Sequence, residues 1–159
     1  MPNATIVDAS MTHRLNAIID QFRLIERAML PLLHAIQADF GYIPADAERP
    51  IAAALNLTRA EVHGVISFYH DYRREPAGRH ILKLCRAEAC QAMGSEAEAA
   101  NLLDHLGLNW GETSADGRIT IEAVYCLGLC ATGPAALFDD QPLARIDATQ
   151  LIAITEAAA

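Results

Sequence analysis

Apolar residues recur every three or four positions along the first 40 residues, which is the spacing of one face of an α-helix. One run covers 15–29 and a second covers 32–40. Pro31 separates them, because proline ends a helix but fits the first turn of the next one. Gly41 follows the second run, where it can close the helix in a left-handed conformation. The pattern predicts two successive amphipathic helices.

Two further helices are predicted before residue 70. A short apolar run over 51–55 follows Pro50. Thr58 and Glu61 have the spacing of a capping box, in which each side chain satisfies a free backbone N–H group at the start of a helix. The helix that they open carries its apolar residues over 62–69. Residues 1–75 are therefore predicted to form four helices and no strand.

The spacing of apolar residues changes to two in the second half, as in half-buried strands. Asp116 and Gly117 predict a two-residue hairpin turn, because both residue types tolerate the positive φ angles that such a turn needs. A second hairpin is predicted around residues 139–141. The predicted strands are 80–84, a segment before the Asp116-Gly117 turn, 118–124, 135–138 and 143–146.

Two helices accompany these strands. Ser95 and Glu98 predict a second capping box, which opens a helix that Gly107 closes. Asp147 or Thr149 can cap a closing helix. The order is β-α-β-β-β-β-α, so this half is expected to be a small mixed sheet covered by helices. The whole chain is expected to be α+β, with an N-terminal helical bundle before a mixed-sheet domain.

A domain boundary is predicted at residues 73–78, where a charge cluster meets Pro76 and Gly78. It divides the chain into domains 1–75 and 76–159. The first has 7 basic and 9 acidic residues, for a charge of −2, and the second has 5 and 11, for −6. The acidity therefore lies mainly in the second domain.

Composition narrows the class of protein. The chain has 159 residues, 52% of them hydrophobic, and 12 Lys and Arg against 20 Asp and Glu, for a net charge of −8. This balance argues against nucleic-acid binding and against an anionic membrane surface. No apolar run approaches the ~20 residues that span a bilayer. Residues 1–8 lack the features of an export signal, so the expected location is the cytoplasm.

Four cysteines are the candidate chemistry, and all lie in the second domain. Cys85 and Cys90 are separated by four residues, and Cys126 and Cys130 by three. Both pairs follow a predicted strand. Two loops at the same edge of a sheet can present four thiolates to one point, and thiolates select zinc or iron–sulfur clusters. The cysteines are therefore the candidate ligands of a metal centre.

These cysteines admit four interpretations. Two disulfides are disfavoured in a reducing cytoplasm. A redox dithiol of the thioredoxin type would need Cys-x-x-Cys, which is absent. Zinc sites with four cysteine ligands usually have two to four residues between paired ligands, and the spacing observed here falls at the upper end of that range. A [2Fe–2S] cluster tolerates wider loops, and the small residues beside the cysteines would let backbone amides approach its sulfides. The pattern favours the cluster and leaves zinc as the alternative.

Three segments also resemble a known family. They are Gly64-Val65-Ile66-Ser67-Phe68-Tyr69, Asp116-Gly117, and Cys126-Leu127-Gly128-Leu129-Cys130. Together with the spacing of the four cysteines they resemble the thioredoxin-like [2Fe–2S] ferredoxins, which include the 24-kDa-type subunit of respiratory complex I. The resemblance covers roughly residues 25–155. It implies that Cys85, Cys90, Cys126 and Cys130 are cluster ligands, that 76–159 is a thioredoxin-like domain, and that 1–75 is a docking domain.

Within this family, two segments look most like the gamma subunit of soluble NAD-dependent formate dehydrogenases. They are 85–91, with Arg86 and Glu88 between two ligands, and 60–65, with His70 further on. That resemblance implies an FMN- and NAD-binding iron–sulfur partner subunit and a large subunit with a molybdenum cofactor that oxidises formate. The alternatives are a complex I subunit or a subunit of an NAD-reducing hydrogenase.

A regulator that binds DNA is the hypothesis from another class, since 52–66 also resembles a helix-turn-helix. Its recognition helix would offer only Arg59 and His63, and phosphate contacts need several cations. The sequence shows no nucleotide-binding glycine motif and no activated nucleophile, so no catalytic residue is predicted on this chain.

Three narrower hypotheses concern single positions. The opposing charges of Arg86 and Glu88 are expected to tune the cluster potential, so that Arg86→Ala lowers it. The resemblance to thioredoxin-like folds suggests a cis bond between Gly133 and Pro134 that faces the cysteine loops, and an ordinary turn is the equal alternative. The aromatic residues 68, 69 and 72 are expected to pack within the helical domain, with a role at an interface as the alternative.

Overall fold

The structure is a computed structural model that describes residues 9–158. Residues 1–8, on which the export expectation rests, lie outside the described part. The chain divides after Pro76 into two compact units, and each is described by itself. Within residues 9–158, no helix combines the length and apolar character that a membrane crossing requires.

The first unit is helical. Its helices are α1 (Ala9–Phe22), α2 (Met29–Phe40), α3 (Glu48–Leu55) and α4 (Arg59–Phe68), and a short 3₁₀ helix, Ala45–Ala47, precedes α3. The predicted apolar faces meet in one core. Its fully buried large side chains are Leu32, Leu33, Ile36, Ile43, Ile51 and Val62. The prediction of four helices is confirmed for the described part of this unit.

Helix boundaries differ from the prediction at two places. Helix α1 ends at Phe22, whereas the apolar pattern continues to Met29 because residues in the connecting turn are also apolar. Helix α3 begins at Glu48, before Pro50, since proline is accepted in the first turn of a helix. Gly41 closes α2 at φ 81°, as predicted.

The capping box at the start of α4 is present. The backbone N–H of Glu61 donates to Thr58 Oγ1 at 3.2 Å, and the backbone N–H of Thr58 donates to Glu61 Oε2 at 2.8 Å. Replacing Thr58 with alanine leaves one helix N–H group without its acceptor. We expect Thr58→Ala to lower the free energy of unfolding by about 1 kcal/mol in urea denaturation. Thr58→Ser keeps a capping hydroxyl and should have nearly the native free energy of unfolding. An unchanged transition in Thr58→Ala would contradict the capping role.

A buried carboxylate joins α3 to its surroundings. Glu48 is fully buried, and its carboxylate accepts hydrogen bonds from Arg59 Nε at 2.9 Å and from an Arg74 terminal nitrogen at 2.8 Å. His63 Nδ1 lies 3.0 Å from Glu48 Oε1. Arg59 and His63 are the side chains that a DNA-reading helix would use, and both contact Glu48 in this structure.

The aromatic residues at the end of α4 are only partly packed. Tyr72 is buried and its ring lies against His34, as expected. Phe68 and Tyr69 are exposed, and the prediction that they pack inside the unit is wrong. Helix α4 ends at Phe68, so the chain turns there and leaves both rings at its surface. The two rings contact each other edge to face, with centroids 5.1 Å apart.

The second unit contains a four-stranded mixed sheet in the order β2-β1-β3-β4. Strand β1 (His80–Cys85) is parallel to β2 (Ile119–Val124) and antiparallel to β3 (Ala135–Phe138), which pairs with β4 (Gln141–Ala144). Helices α5 (Glu88–Ala92), α6 (Ser95–Leu106) and α7 (Ala148–Ala157) accompany the sheet. The α+β fold with a mixed sheet is confirmed.

Four details of this unit differ from the prediction. The segment before the Asp116-Gly117 turn forms a single bridge, Thr113 to Thr120, so one predicted strand is absent from the described residues. Strand β4 begins at Gln141, because Asp139 and Asp140 alone make the turn with positive φ angles. Helix α5 was not predicted, since five residues carry no helical period.

The fourth difference is the start of α6. Gly94 is its cap at φ 92°, and Ser95 is already helical and buried. The Glu98 carboxylate accepts the backbone N–H of Ala148 at 2.6 Å and therefore does not complete a capping box. At the start of α7, Asp147 accepts the backbone N–H of Gln150, as predicted.

Candidate metal centre

The parallel pairing of β1 and β2 brings two cysteine loops to one edge of the sheet. Cys85 is the last residue of β1, and its partner in the ladder is Val124, the last residue of β2. Cys126 follows two residues later and has a φ angle of 80°, which turns the chain out of the strand direction. The predicted convergence of the two strand ends is confirmed.

The other two cysteines lie on short helical segments. Cys90 is in α5, and Cys130 begins a 3₁₀ helix, Cys130–Thr132. Cys85 and Cys90 lie together in one buried cluster, and the Sγ atoms of Cys126 and Cys130 are 3.8 Å apart. All four thiols are free, so neither disulfide is formed. The structure thus assembles two cysteine pairs, one from each loop.

The two pairs differ in exposure. Cys85 and Cys90 are each 2% exposed and pack with Ala135, Val124 and Leu127. Cys126 and Cys130 are exposed. One side of the site is therefore dry and enclosed, and the other is open.

Backbone donors favour the thiolate form of Cys85. Burial alone would raise the pKa of Cys85, but hydrogen bonds from the backbone N–H groups of Ala87, Cys126 and Leu127 and from the Cys90 thiol lower it overall. Burial and the hydrogen bond to Cys85 raise the pKa of Cys90. The thiolate is the form that binds metals, so the backbone around Cys85 prepares that ligand.

The two cysteine pairs also influence each other. The pKa of Cys130 is raised by its hydrogen bond with Cys126 and by the charge of Cys85. The charge of Cys130 in turn raises the pKa of Cys90. Positive charge placed among these sulfur atoms would relieve that repulsion, as a metal centre does.

Small residues line the enclosed side. A Cβ atom built on Gly133 would lie 3.5 Å from Cys90 Sγ, so the backbone there is close to the thiol. The Gly133–Pro134 bond is cis, which is the first of the two alternatives that the sequence left open. Gly128, between Cys126 and Cys130, has a φ angle of 76°, which other residues rarely adopt.

The pairwise arrangement of the thiols bears on the two metal hypotheses. The 3.8 Å Sγ separation of Cys126 and Cys130 is the edge of a tetrahedron with metal–sulfur bonds of about 2.3 Å, which fits zinc and iron alike. A zinc ion would need all four thiolates around one position. A [2Fe–2S] cluster needs two thiolates on each iron, and two pairs meet that requirement.

Arg86 and Glu88, whose charges are predicted to tune the cluster potential, have different surroundings in the structure. Arg86 binds the Glu96 carboxylate through two hydrogen bonds of 2.8 and 3.1 Å, and its guanidinium lies 4.8 Å from the Trp110 ring centre. Glu88 is exposed at the start of α5. The Arg86 guanidinium is thus paired with the Glu96 carboxylate, and the effect of its charge on the potential stays a prediction.

Sequence reasoning missed the side chains that support the ligand loops. Gln91 donates to the carbonyl of Arg86 at 2.8 Å, and Glu96 and Trp110 hold its guanidinium. Trp110 is the single tryptophan of the chain. It lies after α6 and is not next to any cysteine in the sequence. Its position beside Arg86 depends on tertiary packing, and no local pattern signals it.

Several bacterial relatives of the chain are subunits of NADH-quinone oxidoreductases. The chain is 36% identical to the subunit from Pseudomonas aeruginosa, over 71% of this chain and 68% of that protein. It is 34% identical to the subunit from Aquifex aeolicus, over 80% and 79%. The relative from Mycobacterium bovis is 36% identical, and the match covers 78% of this chain but only 51% of that protein.

A solved structure has the same fold. A chain of an NAD⁺-reducing [NiFe]-hydrogenase in the air-oxidised state superposes with a TM-score of 0.68 at 26% identity. The match covers 82% of this chain and 22% of the hydrogenase chain. The family model for thioredoxin-like [2Fe–2S] ferredoxins matches residues 15–159. This chain therefore belongs to the thioredoxin-like [2Fe–2S] ferredoxin family, and its cofactor is a [2Fe–2S] cluster.

Proposed function

We propose that this chain is an electron-transfer subunit of an NAD-linked oxidoreductase complex, with Cys85, Cys90, Cys126 and Cys130 as the ligands of its cluster. The observation that carries the proposal is the pairing of four free thiols at one sheet edge. A bound [2Fe–2S] cluster accepts and donates one electron at a time. We expect substrates to bind on partner subunits, so the function of this chain depends on them.

The residues of the site have separate tasks. Cys85 and Cys90 anchor the cluster on the enclosed side, where backbone N–H groups stabilise thiolate charge. Cys126 and Cys130 hold it on the open side, where electrons enter and leave. Tyr125 is 71% exposed beside Cys126. We place the electron-exchanging partner against this open side.

We assign the partner to the class of FMN- and NAD-binding subunits. The relatives support this class, because their names describe complexes that use NADH or reduce NAD⁺. The N-terminal domain, residues 1–75, is proposed to dock on the complex, and the exposed rings of Phe68 and Tyr69 give it an apolar surface.

For the identity of the complex we propose a cytoplasmic NAD-dependent formate dehydrogenase with a molybdenum-containing large subunit. The segment Arg86-Ala87-Glu88-Ala89 between two ligands supports this choice through its resemblance to formate dehydrogenase gamma subunits. The relatives favour two alternatives, a complex I subunit and a subunit of an NAD-reducing hydrogenase.

Iron analysis tests the ligand assignment. The purified chain should contain about two iron and two sulfide per chain and show an EPR signal only after reduction. Alanine at any one of the four cysteines should remove that signal. Zinc in place of iron would overturn the proposal, and so would full iron content in all four alanine variants.

Purification of the whole complex through this chain tests its identity. A formate dehydrogenase should reduce NAD⁺ with formate and contain molybdenum. Reduction of NAD⁺ by hydrogen gas, or of quinone by NADH, would identify the two alternatives and exclude the formate assignment.

A further inference from the structure

Arg86 occupies a central position between the two ligand loops. It directly follows Cys85, and its backbone N–H donates to the carbonyl of Val124 at 2.8 Å, two residues before Cys126. Its own carbonyl accepts a hydrogen bond from the side chain of Gln91 at 2.8 Å, one residue after Cys90. The backbone of this one residue therefore ties together the chain segments that carry three of the four cysteines.

The side chain of Arg86 fastens this arrangement to α6. Its Nε donates to Glu96 Oε1 at 2.8 Å and a terminal nitrogen to Oε2 at 3.1 Å, so the planar guanidinium matches the carboxylate fork. The Trp110 ring covers the guanidinium at 4.8 Å. The Arg86 side chain is 29% exposed. Both the planar shape and the charge of arginine are used in this contact.

The ligand loop needs such support because α5 is short. It spans five residues, Glu88–Ala92, and a helix of this length does not persist without tertiary contacts. Cys90 lies within it. The contacts of Arg86 with Glu96 and Trp110 hold the start of the loop in place. The hydrogen bond from the Gln91 side chain to the Arg86 carbonyl holds the end of the loop against its start.

We propose that Arg86 is a positioning residue that, with Glu96 and Trp110, holds the Cys85–Cys90 loop in the geometry that retains the cluster. This inference rests on the proposed ligand assignment. It differs from the tuning of potential by charge, because Glu96 neutralises Arg86 and the contact depends on shape. Arg86→Lys separates the two roles, since lysine keeps the charge but lacks the planar fork.

The experiment compares Arg86→Lys, Arg86→Gln, Glu96→Gln and the control Glu88→Gln in the full-length, cluster-loaded chain. The rate of cluster loss to an iron chelator, the midpoint potential and the EPR spectrum are measured for each. We expect cluster loss to accelerate about tenfold in Arg86→Gln and about threefold in Arg86→Lys and Glu96→Gln. Glu88→Gln changes a charge in the same loop and should leave the rate unchanged.

Trp110 supplies a readout that needs no cluster. It is the single tryptophan, so the fluorescence of the apo chain reports on the surroundings of Trp110, which include Arg86 and the core of the second unit. Its emission should shift to the red in Arg86→Gln and stay unchanged in Glu88→Gln. The far-UV circular dichroism of each variant establishes that the chain is folded.

Opposite results would overturn the inference. If Arg86 acts by charge alone, Arg86→Lys matches the native chain in rate and potential, while Arg86→Gln lowers the potential and Glu96→Gln raises it. Unchanged cluster loss in both Arg86 variants would also refute positioning. Absence of iron from the native chain would instead refute the ligand assignment, so the two failures are distinguishable.

Discussion

Removing both arginines that contact Glu48, as in Arg59→Gln with Arg74→Gln, should lower the unfolding free energy of the helical unit by about 3–5 kcal/mol. The carboxylate is fully buried, and the arginines donate to it at 2.9 and 2.8 Å. Without them a negative charge stays inside the protein with His63 beside it. Urea denaturation followed by circular dichroism measures the loss. Trp110 fluorescence follows the second unit separately, because the only tryptophan lies there.

Glu48→Gln is the matched control for this double variant. The amide keeps the shape of the side chain and removes the charge, so the arginines are no longer required to balance it. We expect Glu48→Gln to cost less than the double variant, because a neutral buried group has a smaller desolvation penalty. Equal losses in the two proteins would contradict the view that uncompensated charge causes the damage.

The same carboxylate makes the helical unit sensitive to acid. Burial alone would raise the pKa of Glu48, but hydrogen bonds from His63, Arg59 and Arg74 outweigh burial and lower the pKa from 4.5 to about 2. A folded-state pKa below the unfolded value stabilises the fold fully above about pH 4.5, and this contribution disappears as the pH falls towards 2. The shift corresponds to about 3 kcal/mol. Acid titration should therefore show a steeper loss of helix below pH 4.5 in the native chain than in Glu48→Gln.

Much of the fold follows from local patterns. The apolar spacing that defines α2, the capping box of Thr58 and Glu61, and the left-handed Gly41 each depend on residues within one turn of the chain. The alternation over residues 119–124 likewise marks β2. Such elements can be predicted because the forces that specify them act between near neighbours.

The errors occur where distant contacts override local preference. Ser95 and Glu98 have the spacing of a capping box, but Glu98 binds the backbone of Ala148, which is 50 residues away. Glu48 looks like an ordinary surface residue in a helix, and its burial depends on Arg59 and Arg74. No pattern within a helical turn contains this information.

The candidate site shows the same division. Cysteine spacing and the placement of both pairs after strands predicted that the four thiols would converge, since adjacent parallel strands end at one edge of a sheet. The difference in exposure between the pairs was not predictable. It arises because Cys90 is carried inward by α5, a helix too short to be recognised in the sequence.

Serine variants should reveal this difference in exposure, with the largest effect expected at Cys90. A serine oxygen must lose its proton to bind iron, and at 2% exposure the resulting anion has no water to stabilise it. We expect Cys90→Ser to retain less than about one-tenth of the native iron. At the exposed Cys130, water can solvate the serine oxygen, so Cys130→Ser should retain about half or more.

Iron content and EPR of the reduced chains measure the outcome. The direction in which the midpoint potential shifts is an independent test. Oxygen is a harder ligand than sulfur and favours the oxidised iron, so any cluster kept by Cys130→Ser should have a lower potential than the native one. Cys90→Ala and Cys130→Ala are the controls, because alanine offers no ligand and both should lose the cluster. Equal iron content in the two serine variants would mean that burial does not decide which ligand tolerates oxygen. A gradient from Cys90 to Cys130 would instead locate the solvated iron on the Cys126 and Cys130 side, where an electron-transfer partner has access.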